Sequence, residues 1–372
     1  MVSYSGSIPP LPYTALLDLL RYTRKVDGVS KDMDLENPGA SAHAAEWDTT
    51  SLEDFRKSVL WTEVGRQTVD CLAATFFSMN ISELKLTNYF YAVASDGGWD
   101  NHSDKDQSRK FNIKLKGGWK ALCNKLVHEI DECNIAKNKC VTCVEDNSHH
   151  AIIKTAEGKQ YTTKTVVCTV PPNVLGAIEF DPVLPTNPAT AWPQPYTRIN
   201  FILTYSTPFW RDDVKCGDIF SMSSSLNLLR QTDDYPVMVT FDHTDDNGNA
   251  ALAGVVVGPN TLRKTVSAEF KPGERKEIIM QYLKDPFGDK VMEPLDYQEL
   301  KWDPYIEFKG TPPHPRNNIK PSEILSTLRT PHGRVYWAGS YTATNWVGTL
   351  SGAVQAGRRA ADEVLNRLNK SV

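Results

Sequence analysis

The small residues Gly348, Gly352, Ala353, Ala356, Gly357 and Ala360 recur at spacings of three and four, which on a helix gathers them into one stripe. A glycine inside a helix costs about 1 kcal/mol relative to alanine, so the stripe predicts a close neighbour, either a flat ligand or another stretch of backbone. The segment before it, Val335-Tyr336-Trp337-Ala338-Gly339, reads as a short strand running into a polar loop. A helix opening at Gly348 would offer unpaired N–H groups and about half a positive charge in its first turn. Those suit a phosphate, a carbonyl oxygen or a delocalised anion.

Other residues with chemical potential carry less. Cys140 and Cys143 fall in CVTCV, which reads as a strand, where residues three apart point to opposite faces and cannot share a metal. No metal site is expected. Residues 96–111 are dense in Asp, Asn and Ser, but without EF-hand spacing they read as a solvated loop. His149 and His150 fall in a turn between strands and read as surface residues.

The elements that must position these residues follow from periodicity. TALLDLLRYTRKV reads as an amphipathic helix, and Ser51 followed by Glu53 and Asp54 reads as the cap of another. Helical periodicity continues through VDCLAATFFSM and LTNYFYAVAS, which makes the first third mostly α. After Gly117-Gly118 come a helix, KALCNKLVHEI, and strands in CVTCVED and AIIKTAEGKQYTTKTVVCTV, the latter two strands around a Glu157-Gly158 turn. RINFILTYS, VMVTFDH and ALAGVVVG read as strands, ERKEIIMQYLKD as a helix, and residues 303–321 as loop. The class expected is mixed α/β, with one domain built from discontinuous pieces.

The chain has 372 residues, 40% hydrophobic and 23% charged, with a formal charge of -4. That composition fits a soluble globular protein with room for two domains and gives no reason to expect nucleic acid as a partner. No apolar run approaches a membrane span, and the N-terminus lacks the basic start and apolar core of a signal peptide. Seven irregularly spaced cysteines favour a reducing compartment. A soluble, intracellular protein is expected.

Four passages together resemble the flavin-dependent monoamine oxidase family: Gly117-Gly118 ahead of a helix, TVPPNVLGAIEFDPVLP, Pro208-Phe209-Trp210-Arg211 after a strand, and AGSYTATNWVGTLSGAVQAG. The resemblance spans nearly the whole chain. It implies the two-domain flavin amine oxidase fold, with residues 1–113 and 191–305 as the helical and sheet parts of a substrate domain. Residues 114–190 and 306–372 would then be segments of an FAD-binding domain. It further implies FAD near Gly339, Ser340 and Tyr341, with Gly348, Thr349 and Leu350 at the pyrimidine edge of the ring and Val141 at the adenine. The implied reaction is oxidation of a small-molecule amine to an imine, with transfer of a hydride equivalent to flavin N5 and dioxygen reduced to hydrogen peroxide. Val255, Val239 and Trp346 match positions around the substrate.

This sequence also departs from the family pattern. No two glycines stand one residue apart, so the G-x-G-x-x-G dinucleotide fingerprint is absent. The resemblance implies that this element precedes Met1, and an N-terminally truncated chain is expected. Where the family has a lysine near flavin N5 the chain has Asn200, and the covalent flavin cysteine falls on Thr311, which implies non-covalent FAD. Two cage tyrosines become Pro312 and Thr349. These losses leave two alternatives to the oxidase: a non-catalytic relative acting as a binding or regulatory module, and a flavin dehydrogenase for a bulkier amine.

Overall fold

The computed structural model describes residues 11–77, 81–103, 115, 117–185, 198–212, 217–220, 237–257, 272–301, 320, 322–323, 327 and 329–370. Thr311 and Pro312 lie outside the described residues, as does most of the loop expected over 303–321.

The first third is helical, as its periodicity predicts: α1 (Tyr13–Ser30), α2 (Ala44–Thr49), α3 (Leu52–Val59), α4 (Glu63–Phe77), α5 (Leu86–Ser95) and α6 (Trp99–Ser103). Ser51 caps α3 by accepting the Asp54 N–H at 3.1 Å, and its hydroxyl donates to the Asp54 carboxylate at 2.6 Å. The apolar stripes of α1 and α5 meet on a core that includes Tyr22, Val26, Trp47, Leu52, Leu60 and Phe90. The buried Asp18 carboxylate accepts the backbone N–H groups of Trp61 and Thr62 and the Thr62 hydroxyl, which fixes the entry to α4 against α1. The loop expected over 96–111 contains one surprise, the short helix α6, because Gly97 and Gly98 at φ +85° and +115° turn the chain back on itself.

After Gly117 and Gly118, both left-handed, comes α7 (Gly118–Ile130). No residue of α7 is buried. Strands β1 (Val141–Asp146), β2 (Ala151–Thr155), β3 (Gln160–Thr163), β4 (Val166–Cys168) and β5 (Glu179–Asp181) follow. The run expected as one strand after the Glu157-Gly158 turn is two: β3 stays in a sheet ordered β3-β2-β1-β5, while β4 leaves to pair in parallel with β11 (Val335–Trp337). A small core of Val144, Cys168, Leu175, Phe180, Val335 and Trp337 joins these two sheets.

The third sheet is antiparallel. It runs β10-β6-β9-β8-β7, from β6 (Arg198–Tyr205), β7 (Ile219–Phe220), β8 (Val237–Asp242), β9 (Ala250–Val257) and β10 (Asp296–Lys301). The period-two alternation of β6 sends Ile199, Phe201 and Leu203 to one face, where α8 (Pro272–Phe287) covers them with Ile279, Met280 and Leu283. Phe209 and Trp210, the aromatic pair of the PFWR phrase, are buried in the same core. The opposite face turns towards the first helices: Val255 packs on their core, and α4 lies against β8. The last element is α9 (Leu350–Lys370).

Leu252 is fully buried between the five-stranded sheet and α8. Leu252→Ala should lower the unfolding free energy by about 2–5 kcal/mol, read as a shift in the urea midpoint of the sheet's far-ultraviolet signal.

Candidate active site

Strand β11 ends at Ala338, and Gly339 follows at φ +120°, where a Cβ would stand 2.6 Å from the ring of Tyr341. That ring is buried, and its hydroxyl donates to the Val170 carbonyl at 2.9 Å. Burial raises the Tyr341 pKa well above its ordinary value. The chain then loops through residues 340–349. Trp346 takes the left-handed conformation at φ +55°, costly for a bulky residue, and Gly348 follows at φ +76°.

Three side chains pin this loop. Gln355 of α9 accepts the Thr344 N–H at 2.9 Å and the Asn345 N–H at 3.3 Å, and its amide donates to the Thr344 hydroxyl at 2.8 Å. Arg359 donates to the Trp337 carbonyl at 2.8 Å and to Thr342 Oγ1 at 3.0 Å. Arg329, 8% exposed, donates to the Thr342 carbonyl at 3.1 Å, to the Leu35 carbonyl at 2.7 Å and to the Tyr91 hydroxyl. The Tyr91 hydroxyl donates a hydrogen bond to the Ala343 carbonyl at 2.8 Å, and burial pushes its pKa up to about 12. No sequence signal singled out these residues. From the helical side, Ser95 completes the hold: its carbonyl accepts the Trp346 N–H at 2.9 Å and its hydroxyl the Val347 N–H at 3.4 Å.

Helix α9 starts at Leu350, two residues later than expected. Thr349 is its N-cap. Its hydroxyl accepts the Gly352 N–H at 3.2 Å and donates to the Trp346 carbonyl at 2.6 Å. The cap leaves the N–H groups of Leu350 and Ser351 without a hydrogen-bond partner among the described residues, and Leu350 is itself 53% exposed. Two free donors on the positive end of a 21-residue helix make a seat for an electron-rich carbonyl or ring nitrogen.

The small-residue stripe divides on inspection. Gly352, Ala356 and Ala360 are buried, and a Cβ on Gly352 would lie 2.2 Å from the Trp346 carbonyl oxygen. What presses on this part of the helix is its own preceding loop. Gly357 is exposed with nothing within 4 Å of its Cβ position. The stripe therefore packs on the preceding loop at Gly352 and is open at Gly357.

Of the predicted substrate residues, Val255 and Val239 lie in the third sheet, and Trp346 lies in the loop before α9. Asn200 on β6 stands directly opposite Val255 on β9, which stands opposite Val239 on β8, so the three form one row across the face that turns towards α4. Val141 opens β1, opposite Thr155. Among the described residues no cluster of three or more His, Cys, Asp or Glu could hold a metal, and no helix is long and apolar enough to cross a membrane.

The described residues thus present an outward helix N-terminus after a clamped loop and, in the third sheet, a mostly apolar row. Comparison with known proteins gives the particular family. Residues 4–365 match the flavin containing amine oxidoreductase model. The chain is 26% identical over 380 residues to amine oxidase [flavin-containing] A of Bos taurus, covering 99% of this chain and 68% of the bovine one. It is 26% identical over 378 residues to amine oxidase [flavin-containing] B of Homo sapiens, covering 99% and 69%. Among solved structures, putrescine oxidase bound to putrescine superposes with a TM-score of 0.85 at 21% identity, over 98% of this chain and 78% of that one. Cyclohexylamine oxidase from Brevibacterium oxydans gives 0.81 at 19%, over 97% and 77%. This chain belongs to the flavin-containing amine oxidoreductase family and has its mixed helix-and-sheet fold.

The family's cofactor is a flavin, and the residues present fit its ring: the two free N–H groups of α9 match the oxygen- and nitrogen-rich edge that gains negative charge on reduction. For the dinucleotide tail, the sequence holds no glycine-rich phosphate loop.

The two glycines of α9 separate packing from propensity. Gly352→Ala should lower the thermal midpoint, at a cost of about 1–3 kcal/mol, because the Trp346 carbonyl must move. Gly357→Ala should raise stability by about 0.5–1 kcal/mol through helix propensity. Paired denaturation curves check both signs.

Proposed function

We propose that this chain oxidises a small amine to its imine with non-covalently held FAD, dioxygen accepting the electrons and leaving as hydrogen peroxide. The observation that carries the reading is the first turn of α9, whose two free N–H groups lie beside a loop fixed by Gln355, Arg359 and Arg329. FAD supplies a two-electron acceptor for the carbon–nitrogen bond. The chain's own residues do the rest. Leu350 and Ser351 donate to the ring edge, and the α9 dipole favours the negative charge that builds there. Gly348 and Thr349 shape the turn, while Gly339, Ser340 and Tyr341 carry the backbone beneath it.

The row Asn200, Val255 and Val239 forms a mostly apolar wall with Trp346 nearby, which excludes water and binds the amine's carbon skeleton. Thr349 spends its hydroxyl on the helix cap, so an aromatic cage is not built there and bulkier amines are admitted. Asn200 is neutral. It offers no positive charge to reduced oxygen species, so reoxidation is slow, and a dehydrogenase using another acceptor is the form of the chemistry that suits this wall.

The unburied α7, with Trp119, Leu126 and Ile130 each more than half exposed, and the parallel pair β4–β11 leave apolar surface open among the described residues. Residues 114–190 and 306–372 serve as the flavin side and residues 1–113 and 191–305 as the substrate side. The same exposed faces favour one rival, a non-catalytic binding module.

Anaerobic titration separates the readings. The purified chain supplied with FAD should show the flavin absorbance band and lose it on adding an amine, and Asn200→Lys should speed its return in air by about tenfold or more. A band that forms and never bleaches with any amine would leave the binding module.

A further inference from the structure

The N-terminal half of α9 is kept clear of negative charge. From Leu350 to Ala361 the sequence LSGAVQAGRRAA holds no acid, and the first carboxylate of the helix is Asp362. Asp or Glu is ordinarily favoured in a first turn, because a carboxylate there offsets the partial positive charge of the helix end. Thr349 caps α9 with a neutral hydroxyl instead. The helix itself therefore leaves its positive end uncompensated.

Gln355 holds the preceding loop without adding such a charge. It lies five residues into α9, about 7.5 Å along the axis from Leu350, and is half-buried. Its oxygen accepts the Thr344 N–H at 2.9 Å and the Asn345 N–H at 3.3 Å, and its amide donates to the Thr344 hydroxyl at 2.8 Å. All three bonds fall on the two residues before Trp346, whose left-handed turn leads through Gly348 into the cap. A carboxylate of the same length could accept both N–H groups, and the Thr344 hydroxyl could turn to donate to it. The hydrogen bonds thus admit glutamate at 355; what the carboxamide adds is neutrality.

We propose that Gln355 is a positioning residue for the flavin: its carboxamide sets the loop that aims the first turn of α9, and its neutrality leaves that turn free to stabilise a reduced ring. This rests on the amine oxidation reading for where the ring sits, and it adds a residue that sets how readily the ring takes electrons. A unit charge within about 10 Å, at the intermediate dielectric of a partly buried site, shifts such an equilibrium by on the order of tenfold.

The test uses dithionite in place of an amine, so it does not depend on turnover. The chain supplied with FAD is reduced together with a reference dye, and the ratio of reduced to oxidised flavin is read at a fixed dye ratio. Gln355→Glu should lower that ratio on the order of tenfold, with a thermal midpoint no lower than that of the unsubstituted chain. Gln355→Leu carries no charge and makes none of the three bonds. It should speed amide exchange at Thr344 and Asn345 by on the order of tenfold and weaken FAD binding. An unchanged ratio in Gln355→Glu, or a Gln355→Leu variant that binds FAD as tightly as the unsubstituted chain, overturns the assignment. If neither variant folds, the unsubstituted chain decides: FAD should slow exchange at Thr344 and Asn345, and exchange indifferent to FAD overturns it. The expected ratio shift in a flavin that no amine bleaches would sink the oxidation reading and leave Gln355 its role. Bleaching by an amine with an unshifted ratio would do the reverse, and a chain that binds no FAD sinks both.

Discussion

The buried guanidinium of Arg329 ties the first helices to the loop before α9. Its donors reach the carbonyls of Leu35 and Glu36 after α1, the Tyr91 hydroxyl on α5 and the Thr342 carbonyl in the loop before α9. A charge taken out of water is tolerable only if its donors are satisfied. The nearest carboxylate, Glu36 at 3.7 Å, is 79% exposed and contributes little, so backbone carbonyls carry the compensation. Each of those carbonyls is thereby fixed, and the loop before α9 cannot move independently of the first helices.

The rest of the site inherits its geometry from that clamp. With Thr342 and Ala343 held from one side and Arg359 and Gln355 gripping from the other, the chain must turn sharply to enter α9. Trp346 absorbs the turn in a left-handed conformation, and Gly352 yields the space its carbonyl needs. The strain is repaid in position: two N–H groups end up without a partner among the described residues at the helix end. The segment from α7 to β5 and β11 is built more lightly, with a two-stranded parallel sheet and an α7 that has no buried residue. A parallel pair normally lies covered on both faces.

Much of this was legible beforehand. The helix caps, the alternation of β6 and β9 and the strand-turn-helix closing the chain follow from local rules of period and capping, and the family resemblance rests on contiguous phrases such as AGSYTATNWVGTLSGAVQAG. Other readings needed the structure. The glycine-alanine stripe left a ligand or backbone open as its neighbour, and at Gly352 the neighbour is the chain's own loop, a contact that periodicity cannot tell from a ligand. The strand after Glu157-Gly158 split between two sheets, because partner choice is decided by distant strands.

The sequence by itself determined the class of elements and the family, since each is a matter of residue type and spacing in contiguous phrases. It could not show that Thr349 spends its hydroxyl on a cap or that Arg329 and Tyr91 meet the loop across the fold. Those depend on which atoms lie within 3 Å of one another after residues up to 294 positions apart are brought together, and hydrogen-bond satisfaction is a property of that arrangement alone.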